Sequence, residues 1–139
     1  MGPRIALLLG DEVPDGVDAV VRVATRGTWS RHAEVGTARV VGSTTPPTIE
    51  VVAPTFSPAG GREHLLSRSY RAVLAAADSI GATSIAIPTE LSRGPWPLEH
   101  CIRIALGTLE STPTRVRRVV VTAVTPGALE LWAEGLARR

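Results

Sequence analysis

The 139-residue chain contains no lysine, no asparagine and no glutamine. Its 15 strongly basic residues are therefore all arginine, set against 13 acidic residues for a formal net charge of +2. The missing amides exclude any mechanism that needs a carboxamide side chain. They also accord with GC-rich coding and, weakly, with a warm habitat. A single cysteine, Cys101, excludes an internal disulfide, and one thiol makes no metal set. The three histidines, His32, His64 and His100, are scattered over a loop, a helix start and a helix, so no metal site is expected. No motif calls for a cofactor, and no G-x-S-x-G elbow is present. Long hydrophobic runs are missing too. Ile5 to Leu9 is too short for a signal-peptide core or a membrane span, and the other apolar runs are strand-sized. A soluble cytoplasmic protein with no membrane partner is the expectation. The one dense basic cluster, "RVRR" at Arg115 to Arg118, stands before a strand and reads as its solvated start, so a nucleic-acid partner is not expected.

What is present suits one domain over residues 1–139 with a single substantial core. "RIALLL" from Arg4, "DAVVRV" from Asp18, "TARVV" from Thr37 and "TIEVVA" from Thr48 read as four strands, punctuated by Gly10-Asp11, Gly36, Gly42 and Pro54. The period then changes. Leu66, Tyr70, Val73, Leu74, Ala77 and Ile80 fall at three- and four-residue spacing, an amphipathic helix with Gly81 as its C′ residue. "SIAI" at Ser84 to Ile87 is a buried strand stopped by Pro88. Leu98, Cys101, Ile102, Ala105, Leu106 and Leu109 mark a second helix behind Pro97. Val116 to Val124 is the last strand, and Pro126 to Leu136 a closing helix capped by Thr125. Alternating strands and helices in the second half predict parallel pairing, with more strands than helices in the first half. The expected fold is a three-layer α/β/α sandwich with a mixed, largely parallel central sheet. In such sheets ligands bind beyond the carboxyl ends of the strands.

This order of pieces resembles a macro domain, the ADP-ribose-binding α/β fold. "IALLLGDEVPDGVDAVV" is similar to that family's opening strand, GD turn and DAIV strand. "GTARVVGSTTPPTIEVVAP", "LSRSYRAVLAAADSIGATSIAIP", "WPLEHCIRIALGTL" and "VRRVVVTAV" with "ALELWAEGL" resemble its later pieces in sequence order. The departures are concentrated in one place. The family's ribose-contacting stretch D-A-I-V-N-A-A-N reads here Asp18-Ala19-Val20-Val21-Arg22-Val23-Ala24-Thr25, so Arg22 and Thr25 stand at the two asparagine positions. Of the glycine run that follows it, only Gly27 remains. About twenty residues of the first phosphate loop and its helix are missing. The second phosphate loop is "TELSRGPWP", which keeps Ser92 and Gly94 and adds Arg93 and Trp96.

The resemblance implies binding of ADP-ribose or a related adenine nucleotide, with an ADP-ribosylated protein as a further partner. Asp11 is then the acceptor for the adenine amine, since an ionised carboxylate only accepts, and backbone amides of Glu12 and Val13 serve the ring nitrogens. Its bland alternative is a turn residue, and the two are compatible. Val124 takes the place of a stacking aromatic, or is a strand-end core residue. Arg22, Arg26 and Arg93 stand in for glycine amides as guanidinium partners of a diphosphate, or are solvated loop arginines. Trp29 and Trp96 wall the cleft, or cover core; Trp132 is core. Glu12, Glu34 and Glu90 are the carboxylates open to a hydrolase as base, and Glu90, in the second loop, is either that base or a solvated loop acid; no catalytic residue is assigned. Two alternatives stand beside nucleotide binding: hydrolysis of ADP-ribosyl esters by residues other than asparagine, and a degenerate, interaction-only domain whose cleft is closed. Oligomeric state is not legible.

Overall fold

A computed structural model describes residues 2–24, 34–41, 45–55, 60–89, 91 and 96–139. Among these residues six strands and three helices follow one another as β1 (Arg4–Leu9), β2 (Ala19–Val23), β3 (Ala38–Val41), β4 (Thr48–Val51), α1 (Glu63–Ser79), β5 (Ser84–Pro88), α2 (Leu98–Ser111), β6 (Arg118–Ala123) and α3 (Pro126–Ala137). They form one mixed sheet of order β1-β6-β5-β2-β4-β3. All neighbours run parallel except β3, which lies antiparallel on β4 at the edge.

Strand alternation sorts the sheet into two faces. Ala19, Val21, Ile49, Val51, Ile85, Ile87, Val119 and Val121 are buried on one face, together with Leu66, Tyr70, Val73 and Leu74 of α1, Ile102, Leu106 and Leu109 of α2, and Trp132 of α3. A physical reason is visible in the topology. The connections β4-α1-β5 and β5-α2-β6 both step the same way across the sheet, so right-handed crossovers put both helices on one side. Of the expected three-layer α/β/α sandwich, the structure has the mixed, largely parallel central sheet and three helices. Among the described residues its helices supply the layer on this first face. On the second face Ala6, Val20, Ala86 and Val120 pack around Val17, which arrives from the connection between β1 and β2.

The local signals act as their chemistry requires. α1 ends in a Schellman motif: Gly81 has φ +72°, its N–H donates to Asp78 O, and the Ala82 N–H donates to Ala77 O. The Thr125 hydroxyl accepts from Ala128 N at 3.2 Å, capping α3 ahead of Pro126 at N1. Strand ends differ by one or two residues from expectation. β4 stops at Val51 rather than Ala53, because Val52 leaves the regular ladder to exchange bonds with Gly36 and Thr37. β6 begins at Arg118 rather than Val116, whose side chain is already buried.

Two long-range anchors fix loops to this frame. The Trp132 indole of α3 is fully buried and donates from Nε1 to Thr89 O at 3.0 Å, just beyond β5. The Asp18 carboxylate accepts from Thr83 N at 2.9 Å, from Thr83 Oγ1 and from Ser84 N, tying the start of β2 to the start of β5. Chiefly the Thr83 amide, with the other two donors, outweighs the upward effect of burial and holds that carboxyl below its ordinary range.

Candidate functional site

At the carboxyl end of the sheet the chain leaves neighbouring strands in opposite directions. After β1 it crosses onto the second face, whereas after β5 and β6 it turns into helices of the first face. Such a divergence opens a crevice outside the strand ends. The structure has a cleft of about 290 Å³ there. Its walls are Asp11, Glu12, Val13 and Pro14 from the β1–β2 connection, and Pro88, Thr89, Thr122 and Val124 from the ends of β5 and β6. Val20, Val21 and Ala86 form its floor.

The chemistry of this cleft is apolar with acceptors at one edge. Val13 is 53% and Val124 72% exposed, an unusual state for two valines at strand-end turns. Val124 is therefore not the core residue that a strand-end valine usually is; it stands in water at the cleft rim. Asp11 and Glu12 are both exposed beside them. Gly10, with φ +133°, turns the chain between Leu9 and Asp11, and its N–H donates to Ala123 O at 2.7 Å. That bond holds the acidic turn against the end of β6. Thr122 donates from Oγ1 to Ile87 O at 3.3 Å, which joins β5 and β6 under the cleft. A flat apolar group with hydrogen-bond donors on one edge suits these walls, with Asp11 as acceptor.

Arg22 lies elsewhere. Its side chain shares the second face with Val20 but turns along the sheet toward β4, where Nε and Nη2 donate to Glu50 Oε2 at 3.0 and 2.7 Å. From the other side Arg39 donates from Nε and Nη2 to Oε1 at 3.2 and 3.0 Å. The three residues are direct cross-strand partners on β2, β4 and β3. Glu50 is only 1% exposed, while the arginines are 55% and 44% exposed. Burial pushes the Glu50 carboxyl up, but the hydrogen bonds and charges of Arg22 and Arg39 together outweigh it and keep the group below its ordinary range. Sequence reasoning missed Glu50 entirely: it looked like one more strand residue, and its partners are remote in the chain.

Trp96 is likewise placed in the core. It is 5% exposed, stacks on His100 at 6.3 Å between ring centroids, and donates from Nε1 to Pro54 O at 3.1 Å. It does not line the cleft, because its ring fills the space between the end of β4 and the start of α2. With fully buried Leu91 it anchors the two ends of the second loop. Thr25, Ser92, Arg93 and Gly94 lie outside the described residues, as do Arg26, Trp29, His32 and Glu90. Of the expected contacts, the structure thus brings Asp11, Glu12 and Val124 together. It adds Pro14 and Thr89 to the walls, and Val13, expected there for its backbone amide alone, also contributes an exposed side chain.

No family model matches the chain. Its sequence is similar to a macro domain-containing protein of Streptomyces coelicolor, 34% identical over 90 residues that make up 63% of this chain and 53% of the relative. It is also similar to a macro domain-containing protein of Streptomyces nogalater, 40% identical over 73 residues, 51% of this chain and 40% of the relative. The chain spans about half the length, or less, of these curated relatives. Its structure is similar to that of the Oceanobacillus iheyensis macrodomain with ADP, at a TM-score of 0.76 and 17% identity over 95% of this chain and 89% of that one. It is also similar to the Trypanosoma brucei macrodomain in complex with ADP, at 0.75 and 20% identity over 96% and 69%. At such identities the structural likeness speaks for the fold. The chain thus has the fold of the solved macrodomains and is similar in sequence to macro domain-containing proteins.

Proposed function

We propose that residues 1–139 form one domain that binds ADP-ribose or a related adenine nucleotide in the cleft beside Asp11. The observation that carries this reading is the cleft itself. It opens at the carboxyl ends of the strands, and its volume is near the low end of the roughly 300–1,000 Å³ usual for small-molecule sites. Exposed Val13 and Val124 offer two apolar surfaces between which a base can lie. Asp11 accepts from the exocyclic amine, and Glu12 and Val13 present backbone amides nearby. The similar structures that carry ADP belong to other proteins, and they support this choice of ligand class for the present one. Trp96 supports an open cleft over an interaction-only domain, since its ring is spent on the core and does not close the opening.

Arg22 has no direct part in this reading. The Glu50 carboxylate takes up its Nε and Nη2, and the pair ties β2 to β4. The phosphate end of the ligand then falls to the second loop, where Ser92, Arg93 and Gly94 remain the candidate contacts and Thr25 the candidate at the ribose.

Calorimetric titration with ADP-ribose, and with AMP and ADP beside it, tests the proposal. Saturable binding by ADP-ribose and by at least one of the shorter nucleotides is expected. No heat up to millimolar ligand from any of the three would overturn it.

A further inference from the structure

The amino ends of the strands lie opposite the cleft, about 20 Å away along a six-residue strand. Arg4 of β1 and Arg118 of β6 are direct cross-strand neighbours there. Both fall on the second face of the sheet, in register with Ala6 and Val120. Arg115 and Arg117 lie beside them and line a shallow hollow of about 490 Å³ together with Gly2, Thr83, Thr114 and Val116. All four arginines are exposed, and none has an ion-pair partner among the described residues. The carboxylates at this end are engaged otherwise: Asp18 on Thr83 and Ser84, Asp78 on the Thr114 hydroxyl and the Arg115 amide, and Glu110, whose backbone lies against Gly2, on Arg139.

Helix dipoles explain part of this charge but not all of it. The carboxyl ends of α1 and α2 point to this end of the molecule, and cations are favoured there. Those helices lie on the first face, however, and Arg4 and Arg118 stand on the second. Like charges directly opposite each other on neighbouring strands are unfavourable. Two neighbouring guanidinium groups are stabilised by an anion that accepts from both, and phosphate is such an acceptor. None of the residues lining the hollow is aromatic, so exposed bases find no stacking platform.

We propose that this basic end binds the phosphodiester backbone of a nucleic-acid duplex, independently of what occupies the cleft. The sequence cluster at Arg115 to Arg118 alone looked like a solvated strand start; the sheet register adds Arg4 and turns it into a two-strand surface.

Fluorescence anisotropy of a labelled 20-base-pair DNA duplex, titrated with the full chain at several salt concentrations, is the test. Binding in the micromolar range at about 50 mM salt is expected, with a slope of log K against log salt of about −3.6 for four engaged arginines. The double variant Arg4→Ala/Arg118→Ala removes two exposed side chains. It should weaken duplex binding at least tenfold at low salt and shrink the slope by about 1.8. Its circular-dichroism melt and its ADP-ribose titration should match those of the parent. Arg103→Ala, on the exposed face of α2, should leave duplex affinity within about twofold. The proposal is overturned by duplex affinity that is absent, or that the double variant leaves unchanged. It is equally overturned if a poly-glutamate peptide or a phosphatidylserine vesicle competes as well as unlabelled duplex. A parent that binds duplex but no adenine nucleotide would refute the cleft reading alone, and the reverse result would refute this one alone.

Discussion

Glu50 decides how Arg22 is read. A buried carboxylate needs partners, and the two flanking strands supply one arginine each. Replacing Glu50 by Gln keeps the shape and loses the charge-assisted bonds. We expect a loss of about 1.5–3 kcal/mol in a urea melt, toward the lower figure because both arginines are half-exposed. At Asp11 the expectation concerns binding. Asp11→Ala should weaken ADP-ribose by about 1–3 kcal/mol, roughly 5- to 150-fold, in a calorimetric titration, with the melting temperature unchanged. Unchanged affinity would remove Asp11 from the site. Trp96→Phe separates core from cleft: losing the bond to Pro54 should lower stability by about 1 kcal/mol and leave ADP-ribose affinity within about twofold. The sequence exposed Asp11 through its turn and Arg22 through its odd position at a strand end. It could not show where Arg22 points, because β4 and β3, which hold its partners, become its neighbours only through the sheet.

At the scale of elements, periodicity and punctuation carried most of the information. The 3.6-residue spacing in α1 and α2, Gly81 after α1, and Thr125-Pro126 before α3 each impose a local geometry that packing then confirms. Gly81→Ala should cost about 1–2 kcal/mol, read as a lowered melting temperature, since φ +72° is strained for any residue with a Cβ. Strand limits were less legible. Thr37, Val52 and Val116 have strand-like side chains, but backbone pairing defines the ends, and that depends on the neighbouring strand. The same holds for the cleft walls. Pro14 and Thr89 did not stand out individually until the sheet order set the β1–β2 connection beside the ends of β5 and β6. The basic end was partly legible, through "RVRR", and partly hidden, because Arg4 joins it only by register.

The sheet has different chemistry at its two ends: apolar surfaces and exposed carboxylates at one, and at the other four exposed arginines with no ion-pair partner among the described residues. No described helix is long and apolar enough to cross a membrane. Acid should unfold the protein in a defined direction. The carboxyls of Asp18 and Glu50 both sit below their ordinary values in the folded state. Their contribution is therefore complete above the unfolded-state values, about 4 to 4.5, and is lost as pH falls through that range and below it. Thermal midpoints should be flat from about pH 7 to 6 and drop below about pH 4.5, and Glu50→Gln should soften the drop. Structural similarity over 95% of the chain gives the fold; the position of the proposed ligand is the central claim. Amide chemical-shift mapping by NMR during an ADP-ribose titration tests it most directly. The account predicts the largest shifts at Asp11 to Val13, Thr89 and Val124, with little change at Arg4 and Arg118. Shifts confined to the amino ends of the strands, or none at millimolar ligand, would contradict it.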